Sequence, residues 1–185
     1  MKNAFLWSRR AAWRACPALL VLIVAFAPLG CKRKRGADEQ PLRLAPVVRM
    51  GDPRAGPQLL KGFYGIEAGA WRWTARRFSV ILLPPAGAAQ NGASLEFRLT
   101  VPDSVIAKLG RISLSASIGG QAFPSATYSK TGDYAYTADV PAALLGGESV
   151  EVDFQLDGAM PPNPPELREL GVVAQSVELQ TKTAK

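Results

Sequence analysis

The stretch Leu95-Glu96-Phe97-Arg98-Leu99-Thr100-Val101 decides the predicted fold, because apolar and polar residues alternate along it without a break. Side chains of a β-strand point to opposite faces in turn, so this period of two predicts a half-buried antiparallel strand. Pro102 ends it. The same alternation, with some wholly apolar positions, predicts further strands at residues 71–74, 78–83, 111–118, 121–123, 126–130, 134–138, 150–156 and 171–179.

Short strands separated by turn signals give the fold class. The sequence predicts about eight or nine strands, with turns such as Gly119-Gly120 between them. This pattern is typical of an all-β fold, an antiparallel β-sandwich of the jelly-roll kind. The sandwich is predicted at residues 59–180, since about 120 residues are enough for one core between two sheets. Residues 181–185 are predicted to form a polar tail.

The charge of the chain is concentrated at its start. Eight of the 22 bases and none of the 15 acids lie in residues 1–35, so the rest of the chain carries a formal charge of −1 although the total is +7. A nearly neutral domain does not attract polyanions over its whole surface. The composition therefore argues against nucleic acid as a partner.

Histidine is absent, and the only cysteines are Cys16 and Cys31. This excludes catalysis by a Ser-His-Asp or Cys-His arrangement, His-ligated metals and a disulfide framework inside the predicted sandwich. Glu151, Asp153 and Asp157 are the nearest approach to a calcium site, but calcium needs six to eight oxygens, and acids on an open strand are more typical of a solvated face. We expect no metal and no cofactor.

Residues 1–30 have the features of a secretory signal peptide. A basic, acid-free start is followed by an apolar run at residues 15–30, which is shorter than the roughly 20 residues of a spanning helix. The run ends in Pro28-Leu29-Gly30-Cys31, which resembles the lipobox of bacterial lipoproteins. The resemblance implies cleavage before Cys31, which then carries acyl chains such as palmitate. It further implies attachment to membrane lipid at the cell envelope, with the domain outside the cytoplasm.

The alternative is an uncleaved N-terminal anchor helix. It is favoured by Lys32-Arg33-Lys34-Arg35, since bases directly after an apolar segment resist translocation. Residues 31–58 are thus predicted to contain the lipidated cysteine, this basic cluster and a flexible linker rich in proline and glycine. A second interpretation of part of that linker makes residues 46–50 an edge strand.

Aromatic and charged residues are concentrated in the stretch from Gly62 to Thr74. Trp71 and Trp73 are two positions apart, so on a strand they project to one face, with Arg72 on the other. Indole faces can stack on sugar rings, while carboxylates and guanidiniums bind hydroxyls. The candidate ligand-binding residues are Tyr64, Glu67, Trp71, Arg72, Trp73, Arg76 and Arg168.

Structural roles are the alternative for several of these residues. Trp73 could fill the sandwich core, where large aromatic side chains dominate the energetics of burial. Arg168, beside Glu169, could clamp a loop to the last strand through its several donors. Both alternatives stay open at this point.

Short motifs in the predicted sandwich support a family resemblance. Gly62-Phe63-Tyr64 with Glu67, then Trp71-Arg72-Trp73-Thr74, and later Arg168-Glu169-Leu170-Gly171, resemble jelly-roll domains found beside bacterial glycosyltransferases. Those domains are similar to carbohydrate-binding, galactose-binding-like β-sandwiches. The resemblance covers roughly residues 59–180. It implies a sandwich and a link to sugars or envelope polysaccharide, and it supplies no catalytic residue.

The expected function is binding without catalysis. Glycoside hydrolysis needs two carboxylates about 5–10 Å apart, and nothing in the sequence brings Glu67 and Glu96 together. We therefore expect a membrane-anchored, exported lipoprotein, not an enzyme, that binds carbohydrate or envelope polymer. The alternative is a structural or assembly lipoprotein whose sandwich binds another protein.

Overall fold

The computed structural model describes residues 43–182. The predictions for the signal peptide, for Cys31 and for the basic cluster after it lie outside the described residues. So does all but the first part of the predicted polar tail.

Ten β-strands and two short α-helices make up the described part of the chain. The strands are β1 (Val47–Arg49), β2 (Leu59–Phe63), β3 (Arg72–Leu82), β4 (Ala93–Val101), β5 (Ile112–Ile118), β6 (Gln121–Ala122), β7 (Ala126–Tyr128), β8 (Gly132–Val140), β9 (Val150–Leu156) and β10 (Val173–Thr181). The helices are α1 (Ala88–Asn91) and α2 (Asp103–Leu109), and 3₁₀ turns lie at Pro53–Gln58 and Ala142–Leu144. The predicted all-β class is confirmed, with ten strands in place of eight or nine.

None of the helices between residues 43 and 182 has the length and apolar character needed to cross a membrane.

Strand β3 joins two layers of antiparallel strands. Its first residues pair with β10, and its last six pair with β9. One layer has the order β8-β4-β10-β1, and the other has the order β2-β3-β9-β5, with β6 and β7 both on the outer side of β5. The predicted strands at residues 71–74 and 78–83 are therefore parts of one long strand that turns from one layer into the other.

The core lies between the two layers and is filled by the apolar positions of the alternating strands. The four apolar residues of the Leu95–Val101 stretch are fully buried, as its period predicted. Phe97 of β4 packs against Phe78 of β3 and Phe154 of β9, with ring centroids 5.6 and 4.9 Å away. Phe78 and Phe154 stack at 5.1 Å. These contacts join the layers.

The prediction of a flexible linker up to residue 58 is wrong for its last part. Val47–Arg49 is the strand β1 on the outer side of β10, as the second interpretation of residues 46–50 had it. Val48 and Met50 point to one face and are completely buried, which gives this segment a reason to fold onto the sheet. The side chain of Gln58 accepts from the Ala45 amide and donates to two carbonyls, so it fastens the segment further.

Candidate functional site

The aromatic stretch folds as the hairpin between β2 and β3. Glu67 and Trp71 form an isolated antiparallel bridge across its tip, where the Glu67 amide donates to the Trp71 carbonyl at 2.8 Å. The turn between them has positive φ at Ala68 (49°) and Gly69 (66°). Two successive residues with positive φ are typical of a tight hairpin turn, in which glycine is at ease and alanine is strained.

The two tryptophans do not form a flat platform. Trp71 and Trp73 are both half-buried, and their rings meet edge to face, with centroids 6.4 Å apart and planes at 84°. Trp73 packs against the hydrophobic core, which agrees with its structural interpretation. Since the rings are perpendicular, a planar ligand could stack on one ring but not on both.

Arg168 ties the loop of residues 160–170 to the hairpin. It donates to Glu67 Oε1 at 2.8 Å and to both oxygens of Glu166, and its guanidinium lies 5.2 Å from the ring centre of Tyr64. The Tyr64 hydroxyl donates to the Glu169 carbonyl at 2.8 Å. These hydrogen bonds from Arg168 lower the pKa of Glu166 to about 2. The structure thus brings the predicted residues Tyr64, Glu67 and Arg168 together as an internal clamp.

Arg72 and Arg76 also direct their donors to the protein itself. Arg72 donates to the carbonyls of Met50 and Tyr64 at 3.0 and 2.9 Å. Arg76 lies further along β3 and donates to two carbonyls at the end of β9 and just beyond it, at 3.2 and 2.8 Å. The three predicted arginines therefore hold loops and strand ends in place, and this leaves fewer donors for a ligand.

An open groove of 450 Å³ crosses the outward face of the other layer. The register places Arg77 of β3, Gln155 of β9 and Ser115 of β5 in one row, and Asp153 and Ser117 in the next. Lys61 of β2 adds its ammonium group beside Asp153. We call this surface the sheet groove. The outward side chains that line it are Lys61, Arg77, Ser115, Ser117, Asp153 and Gln155.

Some groups of the sheet groove are paired and others are not. Lys61 Nζ contacts Asp153 Oδ1 at 2.9 Å, and this hydrogen bond raises the pKa of Lys61, although the nearby charge of Arg77 opposes the shift. Ser115 donates to the backbone carbonyl of Gln155. Within residues 43–182 the side chains of Arg77, Ser117 and Gln155 make no hydrogen bond. These side chains therefore present donors and acceptors to whatever enters the groove.

The sequence assigned no ligand role to the sheet groove. The available signal was the run of serines at alternate positions of residues 111–118, together with Asp153 and Gln155 at alternate positions four strands later in the chain. The order β3-β9-β5 turns these separate strands into one surface, and alternation does not specify that order.

The three acids considered for calcium each contact another group of the protein. Asp153 and Glu151 contact Lys61, and Asp157 accepts from the Ser113 amide at 2.8 Å. No group of three or more His, Cys, Asp or Glu side chains in the described part of the chain is placed to hold a metal ion.

Comparison with known proteins finds a distant structural likeness. No family model matches the chain, and no curated protein matches it. Among solved structures, one titled "CBM4 structure and function" is similar to it with a TM-score of 0.33 and 11% sequence identity. The alignment covers 75% of this chain and 89% of the other.

Proposed function

We propose that this β-sandwich binds carbohydrate without catalysis and that its binding surface is the sheet groove. The observation that supports this most is the set of outward polar side chains there, Arg77, Ser117 and Gln155, which have no hydrogen-bond partner within residues 43–182. A guanidinium, a hydroxyl and an amide together offer donors and acceptors, as sugar hydroxyls require. They stand on neighbouring strands of one sheet, which keeps their spacing rigid.

The proposed lack of catalysis is based on where the carboxylates lie. Glycosidases set two carboxyl groups about 5–10 Å apart on either side of the bond to be cleaved. Glu151 and Asp153 lie two residues apart on the same strand and contact the same ammonium group of Lys61. Glu67 is bound by Arg168, and Glu96 by Arg98 on the other layer. Turnover of any oligosaccharide in a library by the purified protein would contradict this part of the proposal.

The experiment is a glycan array read with the full-length protein in mild detergent, followed by variants. The double variant Ser117→Ala/Gln155→Ala is expected to lose at least about tenfold in affinity, since two polar contacts disappear. Trp71→Ala is expected to keep binding, and Thr137→Ala on the outward face of β8 is the control. Loss in Trp71→Ala alone would move the site to the aromatic hairpin. Absence of binding to every glycan on the array would contradict the proposal of carbohydrate binding.

We also propose that the domain is presented outside the cytoplasm by a lipid on Cys31, as the sequence of residues 1–35 predicts. Incorporation of labelled palmitate and the mass of the mature N-terminus test this. Cys31→Ser is expected to abolish labelling and to retain residues 1–30, whereas Cys16→Ser is expected to be labelled as the original protein is. Equal labelling of both variants, or a mature chain that keeps residues 1–30, would contradict the proposal.

A second candidate function is the docking of another protein, and one observation favours it. Leu167 is 73% exposed, although Glu166 and Arg168 beside it are fixed by ion pairs. A rigidly held apolar side chain is suited to insertion into a partner's pocket. A specific partner that is captured by the original protein but not by Leu167→Asp, together with a silent glycan array, would favour this function instead.

A further inference from the structure

We infer that the sheet groove selects an acidic sugar polymer, with the carboxylate of a uronate seated on Arg77. This inference rests on the proposed function, because it names the class of carbohydrate that the same groove takes.

The charged side chains of the groove favour an anionic ligand. Its lining contains two cations, Lys61 and Arg77, but only one carboxylate, Asp153. Lys61 holds that carboxylate at 2.9 Å, while no Asp or Glu oxygen of residues 43–182 lies within ion-pair distance of Arg77. Glu151, beside the groove, also contacts Lys61 at 4.0 Å. Both nearby carboxylates are thus directed to Lys61, and Arg77 is the cation of the lining without a carboxylate partner among residues 43–182.

The two cations of the groove, Arg77 and Lys61, lie close to each other. Arg77 is close enough to Lys61 for its charge to oppose the protonation of the ammonium group. Asp153 and Glu151 both lie within ion-pair distance of Lys61, and neither lies within that distance of Arg77. A bound anion beside Arg77 would pair the cation that has no carboxylate partner, so the groove favours a negatively charged ligand over a neutral one of the same shape.

The chemistry of the guanidinium supplies the second step. Its planar fork of N–H groups matches the two coplanar oxygens of a carboxylate, which it can bind with two parallel hydrogen bonds. A phosphate monoester carries a charge of about −1.5 to −2 and would need a second unpaired cation, which the lining lacks. One uronate carboxylate per site matches the one guanidinium that has no carboxylate partner.

The neighbours of Arg77 supply the third step. Gln155 is its direct partner on β9, and Ser117 lies in the next row on β5. With strands about 4.8 Å apart, these groups extend about 10 Å from Arg77 across the sheet. They can therefore bind hydroxyls of the acidic sugar and of the next sugar in the polymer, and this distinguishes a sugar acid from a simple anion.

The test compares polymers that differ in charge alone. Full-length protein in mild detergent is titrated at about 0.15 M salt with polygalacturonate and alginate, each beside its neutral methyl ester, and with dextran sulfate. We expect at least one acid form to bind about tenfold more tightly than its ester. Arg77→Gln is expected to bring each pair within about twofold, and Arg77→Lys to give an intermediate preference because it keeps the charge but not the fork.

Arg98→Gln is the matched control, since it removes the same charge from the outward face of the other layer and is expected to keep the preference. If acids and esters bind with equal affinity, and Ser117→Ala/Gln155→Ala abolishes the binding of both, this inference is wrong and the proposed function stands. If dextran sulfate binds with the same affinity as the best uronate polymer, the groove responds to negative charge alone, and the inference of a uronate site is wrong. Absence of binding to all the polymers would overturn both. Circular dichroism and the melting temperature must show that Arg77→Gln folds as the original protein does. If either changes, Arg77→Lys, which keeps the charge, is the variant on which the comparison of acids and esters is made.

Discussion

The guanidinium groups of β3 perform different tasks according to what lies within their reach. Arg72 and Arg76 point to carbonyl oxygens of loops and strand ends, and they donate to them. Arg77, the next residue after Arg76, points to the open face of the sheet and has no such acceptor within residues 43–182. The first two therefore stabilise the fold, whereas Arg77 is left to bind a ligand. Residue type alone does not separate these roles.

Gly62 permits the close approach of β2 to β3, and we predict that Gly62→Ala is strongly destabilising. Its φ is +74°, and an added Cβ would lie 2.0 Å from the Arg77 carbonyl oxygen. Strain and overpacking together should lower the free energy of unfolding by about 3 kcal/mol. Urea denaturation measures this, with Gly56→Ala as the control because nothing lies within 4 Å of its added Cβ. Equal stability of the two variants would contradict the prediction.

Tyr128 gives a prediction at alkaline pH. Its hydroxyl is buried without a hydrogen-bond partner in the described residues, and burial raises its pKa from 10.0 to about 12. Because the folded pKa is above the unfolded one, the ionisation of this group leaves stability unchanged below pH 10 and lowers it as the pH rises to about 12. Between pH 10 and 12, the free energy of unfolding of Tyr128→Phe should therefore fall by about 2 kcal/mol less than that of the original protein.

At neutral pH the same variant should be at least as stable as the original protein, since it removes an unsatisfied buried hydroxyl. Denaturation curves at several pH values measure both effects. The control is Tyr134→Phe, which removes a hydroxyl that donates to the Lys130 carbonyl. Parallel pH curves for Tyr128→Phe and the original protein would refute the argument.

At the scale of elements, two segments are held on the sandwich by long-range contacts. Strand β1 lies on β10 through the buried Val48 and Met50. The loop of residues 160–170 is held by the Met160–Leu170 bridge and by Arg168. Both segments are rich in proline, and their sequences are typical of a loop or a linker. Their order comes from the surfaces on which they pack.

We predict that Met50→Ala lowers the free energy of unfolding by about 3 kcal/mol, because a fully buried side chain is removed. A flexible linker would show no such effect. Arg49→Ala is the neighbouring control, since Arg49 is exposed, and it should change stability by less than about 0.5 kcal/mol. Thermal melting of both variants distinguishes an integral strand from a tether.

The clamp around Arg168 gives a prediction at acidic pH. The pKa of Glu166 is lowered to about 2 by Arg168, so its contribution is present above the ordinary value of 4.5 and disappears as the pH falls through about 2. Pepsin should cut residues 160–170 severalfold faster in Arg168→Gln than in the original protein at pH 4, with a smaller difference at pH 2. A ratio that does not depend on pH would argue against this role of Glu166.

At the level of the described domain, a cluster of three phenylalanines joins the two layers. Phe97 belongs to the layer that contains β8 and β10, while Phe78 and Phe154 belong to the layer that carries the sheet groove. Strand β3 links the same layers by its backbone, because it pairs with β10 at one end and β9 at the other. The groove therefore depends on a core that both layers share.

We predict that Phe97→Ala lowers the free energy of unfolding by about 4 kcal/mol and that both layers unfold together. The removed ring is fully buried and contacts both of the other phenylalanines. Tryptophan fluorescence and far-ultraviolet circular dichroism should give coincident transitions, and Arg98→Ala on the outward face should stay close to the original protein. Separate transitions by the two probes would show that the layers are independent.

That this domain is built of antiparallel strands could be predicted from the residues alone, because alternation is a local pattern that shows which side of each strand faces the core. The sequence also placed Tyr64, Glu67 and Arg168 among the candidate ligand-binding residues, but it did not predict that they contact one another. The three-dimensional structure was needed to show that Arg72, Arg76 and Arg168 donate to the protein itself, that residues 43–58 belong to the fold, and that Arg77 and Gln155 share a groove. These outcomes depend on pairings between residues far apart, such as Lys61 with Asp153 and Glu67 with Arg168, 92 and 101 positions apart. No local period encodes such pairings, since they follow from strand order and from the packing of the common core.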